Sequence, residues 1–151
     1  ARQRAVKREP MDLEQLGDPR IQQYLATKDV VLLGTVSPKG APLVTPMWFL
    51  HDAESLAMIS VDGLAKVRNL RGDPRVCVVA ESGTRRDIRN VTVHGRVTFL
   101  ADTPERQALA ERFHAKYRPD LERLWGGRAM PPNRVMFRIM PERARGRGLD
   151  A

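Results

Sequence analysis

The chain has 151 residues, 42% of them hydrophobic, and its 26 lysines and arginines outnumber 18 acidic residues to give a net charge of +8. This length predicts one domain over residues 1–151, with a core at about 28–141 and basic tails at both ends. The longest apolar run, around 30–33, is too short to cross a bilayer, and residues 1–7 lack the apolar segment of a secretory signal. A single cysteine excludes a disulfide framework. We therefore expect a cytoplasmic protein without a membrane partner.

The first predicted elements are one or two short helices followed by a β-hairpin. Asp18-Pro19 has the pattern of a helix N-cap and first helical residue. The two β-rich runs of 30–50 flank Ser37-Pro38-Lys39-Gly40, in which proline and glycine suit a tight turn. These signals predict a helix that begins near Pro19 and then a hairpin.

A third strand and a short amphipathic helix come next. The run "LAMIS" follows the polar segment "HDAES" and predicts a strand antiparallel to the second. After the turn at Asp62-Gly63, the apolar residues Leu64, Val67 and Leu70 share one helical face. We therefore expect a strand, a turn and a helix that ends near Gly72.

The second half alternates strands with one well-marked helix. The runs "RVCVVAES" and "VTVHGRVTFL" predict strands joined by the charged segment "GTRRDIRN", with Gly95 as a candidate bulge. Thr103-Pro104 predicts the start of a helix that continues to about Tyr117. The segment "RLWGGRAMPPN" reads as a loop, and "RVMFRIM" as a last strand before a Pro- and Arg-rich tail.

The order of these elements predicts the fold class. About six strands with peripheral helices, and little βαβ alternation, favour a mainly β (α+β) protein rather than a doubly wound sheet. We expect a closed or nearly closed antiparallel barrel.

One segment has the chemistry of an anion site. Ser60 ends a strand, the turn follows, and the helix that starts near 63–65 offers free backbone N–H groups and the positive end of its dipole. Lys66 adds an ammonium group in the first helical turn, so these groups could converge on one phosphate. The alternative is a strand-end serine beside a solvated lysine.

The segments "GTVSPKGAPLVTPMWFL", "LAMISVDGLAKVRNLRGDPRVCVV" and "RNVTVHGRVTFL" resemble the pyridoxamine-phosphate-oxidase-like flavin and deazaflavin oxidoreductases. The resemblance implies a six-stranded, Greek-key-like split β-barrel that forms homodimers. It implies that Ser60 and Lys66, with the amide of Ala65, bind the cofactor phosphate. It also places Asn90 where relatives reach the cofactor across the dimer interface, and it implies contacts with the flavin ring from five residues of one strand: Val44, Thr45, Pro46, Met47 and Trp48.

Two cofactors fit this resemblance. The segments "AKVRNLRGDPRV" and "PMWF" look most similar to the branch that uses coenzyme F420, and the arginine surplus suits the anionic tail of that deazaflavin. FMN is the alternative, although the C-terminal segment "PERARGRGLDA" lacks the tryptophan found in FMN-dependent oxidases of the family. The expected activity is hydride transfer from reduced F420 to an unsaturated small molecule, which needs no catalytic side chain.

The same residues leave other classes of function open. A flavin- or heme-binding protein without turnover is an open alternative, since some split-barrel relatives bind heme. The basic tails could contact nucleic acid, but zinc-finger spacing, aromatic RNA-binding signatures and basic zippers are absent from the sequence. The three histidines, His51, His94 and His114, are scattered without metal-binding spacing, so we expect no metal site.

Overall fold

The computed structural model describes residues 15–149, so the basic N-terminal segment 1–14 lies outside the described residues. It contains four helices, α1 Pro19–Ala26, α2 Ala65–Gly72, α3 Pro104–Tyr117 and α4 Asp120–Trp125. Its strands are β1 Val30–Val36, β2 Pro42–Trp48, β3 Leu50–His51, β4 Leu56–Val61, β5 Arg75–Gly83, β6 Ile88–Phe99 and β7 Arg134–Arg147. None of these helices is long and apolar enough to cross a membrane.

Local capping chemistry sets two of the helix starts. The Asp18 carboxylate accepts from the Arg20 backbone N–H at 2.9 Å, and Pro19 occupies the first turn of α1. In α3 the Thr103 hydroxyl accepts from the Arg106 N–H at 3.4 Å. Both predicted helix starts are confirmed. They could be predicted because a cap and a proline act only on neighbouring residues.

The strands form one antiparallel sheet in the order β2-β1-β5-β6-β7-β4-β3. Only Phe49 separates β2 from β3, so the chain itself joins the two ends of this strand order. No ladder pairs β2 with β4 within residues 15–149, and this gap splits the barrel. The predicted split β-barrel is confirmed, with seven strands instead of six because the two-residue β3 is counted separately.

The structure corrects three local predictions. Strand β4 pairs with β3 and β7 rather than with β2. The segment predicted as a loop after α3 contains helix α4. The last strand does not end before Pro141, because β7 continues to Arg147 along β6.

The register shift between His94 and Gly95 confirms the expected bulge. The space at Gly95 is tight, since a Cβ there would lie 2.3 Å from the Met140 carbonyl oxygen.

Two apolar clusters hold the barrel together. The larger one fills the interior and includes Leu33, Met58 and Phe137, each fully buried. The second lies between the sheet and helices α3 and α4, where Phe113 and Leu121 pack on Met136. The second cluster brings α4 beside the end of β4, where the predicted anion site begins.

Candidate functional site

The turn between β4 and α2 is held by its own polar groups. Gly63 has φ of 86°, a conformation that favours glycine, and its N–H donates to the Asp62 carboxylate at 2.9 Å. Arg68 donates to the Gly63 carbonyl at 2.6 Å, and Arg71 pairs with Asp62 at 3.3 Å. These two arginines therefore stabilise the turn and leave Lys66 as the cation of the first helical turn.

The start of α2 is open to an anion. Its N-cap residue is Leu64, whose side chain cannot accept a hydrogen bond, so no side chain caps the helix. Ala65 is the first helical residue and is exposed, and its contribution to a ligand would be its backbone N–H. An uncapped helix start favours negative charge through its free N–H groups and its dipole.

Lys66 is a half-buried cation that has no acidic partner among the residues the structure describes. Its ammonium lies 3.2 Å from the Met47 sulfur, which is a weak acceptor. Burial lowers the pKa of Lys66 below its ordinary value of 10.5, and no carboxylate within residues 15–149 compensates for this burial. An incoming anion would supply the missing counter-charge.

Ser60 lies at the same place, near the end of β4. Its side chain is buried, and in the described part of the chain its hydroxyl has only a long contact of 3.5 Å, to the Val61 carbonyl oxygen. This hydroxyl is therefore available as a hydrogen-bond donor to a ligand beside Lys66.

A cavity of about 300 Å³ connects these groups to an apolar wall. We call it the β2–α4 cavity, since β2 lines one side and α4 the other. Its polar end holds Ser60, Lys66 and Arg134. The remaining lining residues are Pro46, Met47, Trp48, Ile59, Val61, Leu64, Phe113, Leu121, Leu124 and Trp125. A molecule with an anionic end and a flat apolar body matches this division.

Only part of the predicted segment of strand β2 lines the cavity. Pro46, Met47 and Trp48 line the cavity. Val44 is 61% exposed and does not line the cavity. Thr45 also lies outside the lining, and its buried hydroxyl has no hydrogen-bond partner within residues 15–149. The structure thus brings five of the nine predicted contact residues to one cavity: Pro46, Met47, Trp48, Ser60 and Lys66.

Asn90 lies elsewhere in the protomer. Ser60 pairs with Val135 of β7, whereas Asn90 pairs with Arg147 at the other end of that strand. Twelve residues of strand correspond to as much as about 40 Å. Asn90 lines a different groove and is not among the residues that line the β2–α4 cavity.

Sequence reasoning missed Arg134 and the wall formed by α4. Arg134 donates to the Asn133 side chain at 2.6 Å and faces the cavity from the start of β7. Leu124 and Trp125 lie in a six-residue helix that ends just before Gly126-Gly127. These two glycines led to the prediction of a loop at this segment. Only the packing of α3 and α4 on the sheet shows that these residues meet Lys66.

The fold defines a split-barrel protein whose β2–α4 cavity has a cationic end at Lys66 and Arg134 and an apolar wall. Residues 18–148 match the family model described as pyridoxamine 5'-phosphate oxidase. The chain therefore belongs to the pyridoxamine 5'-phosphate oxidase family. A comparison with curated protein sequences found no match.

Solved structures share this fold. A candidate pyridoxamine 5'-phosphate oxidase from Listeria innocua is 25% identical, with a TM-score of 0.70 over 89% of this chain and 99% of that one. A FAD-binding protein from Mesorhizobium loti is 23% identical, with a TM-score of 0.68 over 89% and 96% of the two chains. The heme storage protein HutZ from Vibrio cholerae is 18% identical, with a TM-score of 0.71 over 83% and 89%.

Proposed function

We propose that the protein is an oxidoreductase that binds coenzyme F420 in the β2–α4 cavity and passes a hydride from the reduced deazaflavin to an unsaturated small molecule. The observation that carries this proposal is the half-buried Lys66 ammonium, which has no carboxylate partner within residues 15–149. A cation in that state suits a phosphate group. Membership in the family supports a cofactor that bears a phosphate.

The cavity residues suggest how the chain would hold such a cofactor. Ser60, Lys66 and the first-turn amides of α2 would bind the phosphate. The ring would lie between β2 and the apolar wall, where Trp48 and Trp125 would shield it from water. The bound cofactor supplies the hydride, so the protein needs only to orient it and keep the site dry.

The preference for F420 over FMN rests on the resemblance of "AKVRNLRGDPRV" and "PMWF" to the F420-dependent branch and on the arginine surplus. The first alternative is an FMN-dependent oxidoreductase, which the FAD-binding relative from Mesorhizobium loti supports as a flavin protein. The second is a flavin- or heme-binding protein without turnover, supported by the similarity to HutZ. We place the protein in the cytoplasm because its single cysteine, Cys77, suits a reducing compartment.

We also propose that the protein forms a homodimer. The outer faces of β1 and β2 expose Val30, Leu32 and Val44, which are 45%, 38% and 61% accessible. A second copy that covers these residues would bury an apolar patch and could bring its own Asn90 to the cavity. Sedimentation of the protein and of a Leu32→Lys/Val44→Lys variant tests this. A monomeric unsubstituted protein would exclude the dimer.

The deciding experiment is a side-by-side titration of the purified apoprotein with FMN and with coenzyme F420, followed by quenching of each cofactor's fluorescence at moderate salt. Tight F420 binding with weak FMN binding supports the proposal and justifies a screen of quinones and enones as hydride acceptors. The reverse order makes this an FMN protein. Binding of neither cofactor directs the search to heme.

A further inference from the structure

A second cavity lies where α3 packs against β3, the strand at one end of the sheet. It has a volume of about 480 Å³, and we call it the β3–α3 pocket. Every ionisable side chain that lines it is basic. Its lining shares no residue with the β2–α4 cavity or with the apolar patch assigned to the dimer. The lining residues are Ala26, Leu50, His51, Arg112, Ala115 and Lys116.

The His51 ring in this pocket is oriented by Gln22. The Gln22 amide nitrogen donates to the backbone carbonyl oxygens of Leu16 and Asp52, at 2.8 Å each. These carbonyls can only accept, so the amide oxygen is the atom that lies 2.7 Å from the His51 Nδ1. An amide oxygen also only accepts. Nδ1 of His51 therefore carries a proton and donates it to Gln22.

The other ring nitrogen, Nε2, is an open acceptor. Burial, with the nearby charges of Lys116 and Arg112, lowers the pKa of His51 below 6.5, so the ring is neutral above that pH. A neutral imidazole has one proton, which Nδ1 holds, and Nε2 has a lone pair. Nε2 has no hydrogen-bond partner within residues 15–149. In that range, fully buried side-chain atoms without a partner are confined to Thr45 and Arg138, so Nε2 is accessible where His51 lines the pocket.

Two cations lie beside this acceptor. Arg112 and Lys116 are one turn apart on α3 and share a helical face. Arg112 donates to the His51 carbonyl oxygen at 3.5 Å, and Lys116 donates to the Phe49 carbonyl oxygen at 2.9 Å. These bonds satisfy strand carbonyls without neutralising either charge, and each cation keeps further N–H donors. Neither side chain forms an ion pair with a carboxylate in the described part of the chain.

The nearest carboxylates leave the pocket positive. The Asp52 carboxylate accepts from the backbone N–H groups of Glu54 and Ser55, at 2.9 Å and 2.8 Å. Burial lowers the pKa of Lys116 below 10.5, and the opposing effect of the Asp29 charge is smaller. Neither aspartate lines the pocket. A bound anion would supply the missing counter-charge.

We propose that the β3–α3 pocket binds a small oxyanion that carries its own hydroxyl group, such as hydrogen phosphate or an α-hydroxycarboxylate. Arg112 and Lys116 bind its charged oxygens, and its hydroxyl donates to Nε2 of His51. An anion without a hydroxyl, such as sulfate, would place an oxygen lone pair against the Nε2 lone pair. The pocket therefore discriminates between anions of equal charge and similar size, which cations that only support strand carbonyls would not do.

Nitrogen-15 NMR of the histidine rings tests this site directly. The chain has three histidines, and His51→Gln identifies the signals of His51. At about pH 7.5 and constant ionic strength we expect the tautomer with the proton on Nδ1. Phosphate should shift the Nε2 signal and bind about tenfold or more tightly than sulfate, because sulfate leaves Nε2 without a donor. Lactate should exceed propionate in the same way, and the tighter of phosphate and lactate identifies the kind of ligand.

Substitutions on α3 test the role of the cations. Arg112→Gln should weaken phosphate binding about fivefold or more, since a charge-assisted hydrogen bond is lost. Arg106→Gln is the matched control, because it removes the same charge from the same helix at a residue that lines another cavity. It should leave binding within about twofold. Ring signals of His51 report both affinities.

A third variant tests the acceptor. The amide of His51→Gln can donate as well as accept, so the preference for phosphate over sulfate should fall below about threefold. Calorimetry measures this variant in a Lys66→Met background, where phosphate bound at the cofactor site does not contribute.

Four results would overturn the proposal. A proton on Nε2 of neutral His51 would remove the acceptor. Equal affinity for phosphate and sulfate would make the pocket a general site for anions. Equal weakening by Arg112→Gln and Arg106→Gln would mean diffuse attraction by the net charge. Unchanged His51 signals throughout the phosphate titration would mean that the pocket binds no phosphate. Cofactor titration of Arg112→Gln should match the unsubstituted protein, so this site and the cofactor site can fail separately.

Discussion

The indole ring of Trp48 lies flat against the phenol ring of Tyr117, with centroids 4.6 Å apart and planes 6° apart. The Tyr117 hydroxyl accepts from the Phe49 N–H at 2.8 Å and donates to the Asp29 carbonyl at 2.7 Å. Burial raises the pKa of Tyr117 to about 12, so it stays protonated at neutral pH. Tyr117 therefore holds the junction of β2 and β3 and orients the tryptophan that lines the cavity.

Tyr117→Phe should keep the ring stack and lose the hydroxyl. The Phe49 N–H would then be buried without an acceptor, which costs about 1–3 kcal/mol of unfolding free energy. Urea unfolding measures the loss, and Tyr117→Leu, which also removes the stack, should lose more. Equal stability of Tyr117→Phe and the unsubstituted protein would show that water replaces the hydroxyl.

Lys66→Met should lower cofactor affinity by about tenfold or more, because a charge-assisted phosphate contact is removed. The apoprotein should become no less stable, since burial opposes the charge of Lys66 and methionine fills similar space. Fluorescence titration and urea unfolding measure the two effects. Lys39→Met, in the exposed β1–β2 turn, is the matched control and should change neither. Unchanged cofactor affinity in Lys66→Met would refute the phosphate assignment.

One buried hydrogen bond joins α2 to β1. The Asn69 amide donates to the Thr35 hydroxyl of β1 at 3.1 Å, and both side chains are buried. Asn69→Ala should cost about 1–3 kcal/mol because Thr35 loses its partner. Thr35→Val/Asn69→Leu replaces both polar groups and should recover part of that loss. A thermal-unfolding cycle with both single variants gives the coupling, and additive effects would show that this bond does not hold α2.

Stability should fall in acid through His51. Burial, with the nearby charges of Lys116 and Arg112, lowers the pKa of His51 below 6.5. Between that lowered pKa and 6.5 the unfolded chain binds more protons, so the unfolding free energy decreases as the pH falls through this window. His51→Gln, measured by urea unfolding at a series of pH values, should show a shallower decrease. Parallel curves for the two proteins would assign the acid sensitivity to other groups.

The predictions that hold are those with a local cause. The starts of α1 and α3 follow from Asp18-Pro19 and Thr103-Pro104, because a cap and a proline act within one turn. The predicted end of the last strand was wrong. Proline lacks the N–H that a strand ladder needs, so Pro141 was expected to end the strand. Pro141 instead lies beside the bulge at His94 and Gly95, where the register shifts and β7 continues. Helix α4 was missed because two glycines and a short length hide it.

The sequence by itself determined the barrel class and the strand–turn–helix segment with Ser60 and Lys66, because alternation of apolar residues and turn chemistry operate over a few neighbouring positions. Tertiary structure alone decided that Arg134 and Trp125 join Lys66 in one cavity and that Asn90 lies among arginines instead. Contacts between distant segments depend on strand order and on which side of the sheet each helix packs. Those choices minimise the exposed apolar surface of the whole chain, and no short stretch of residues specifies them.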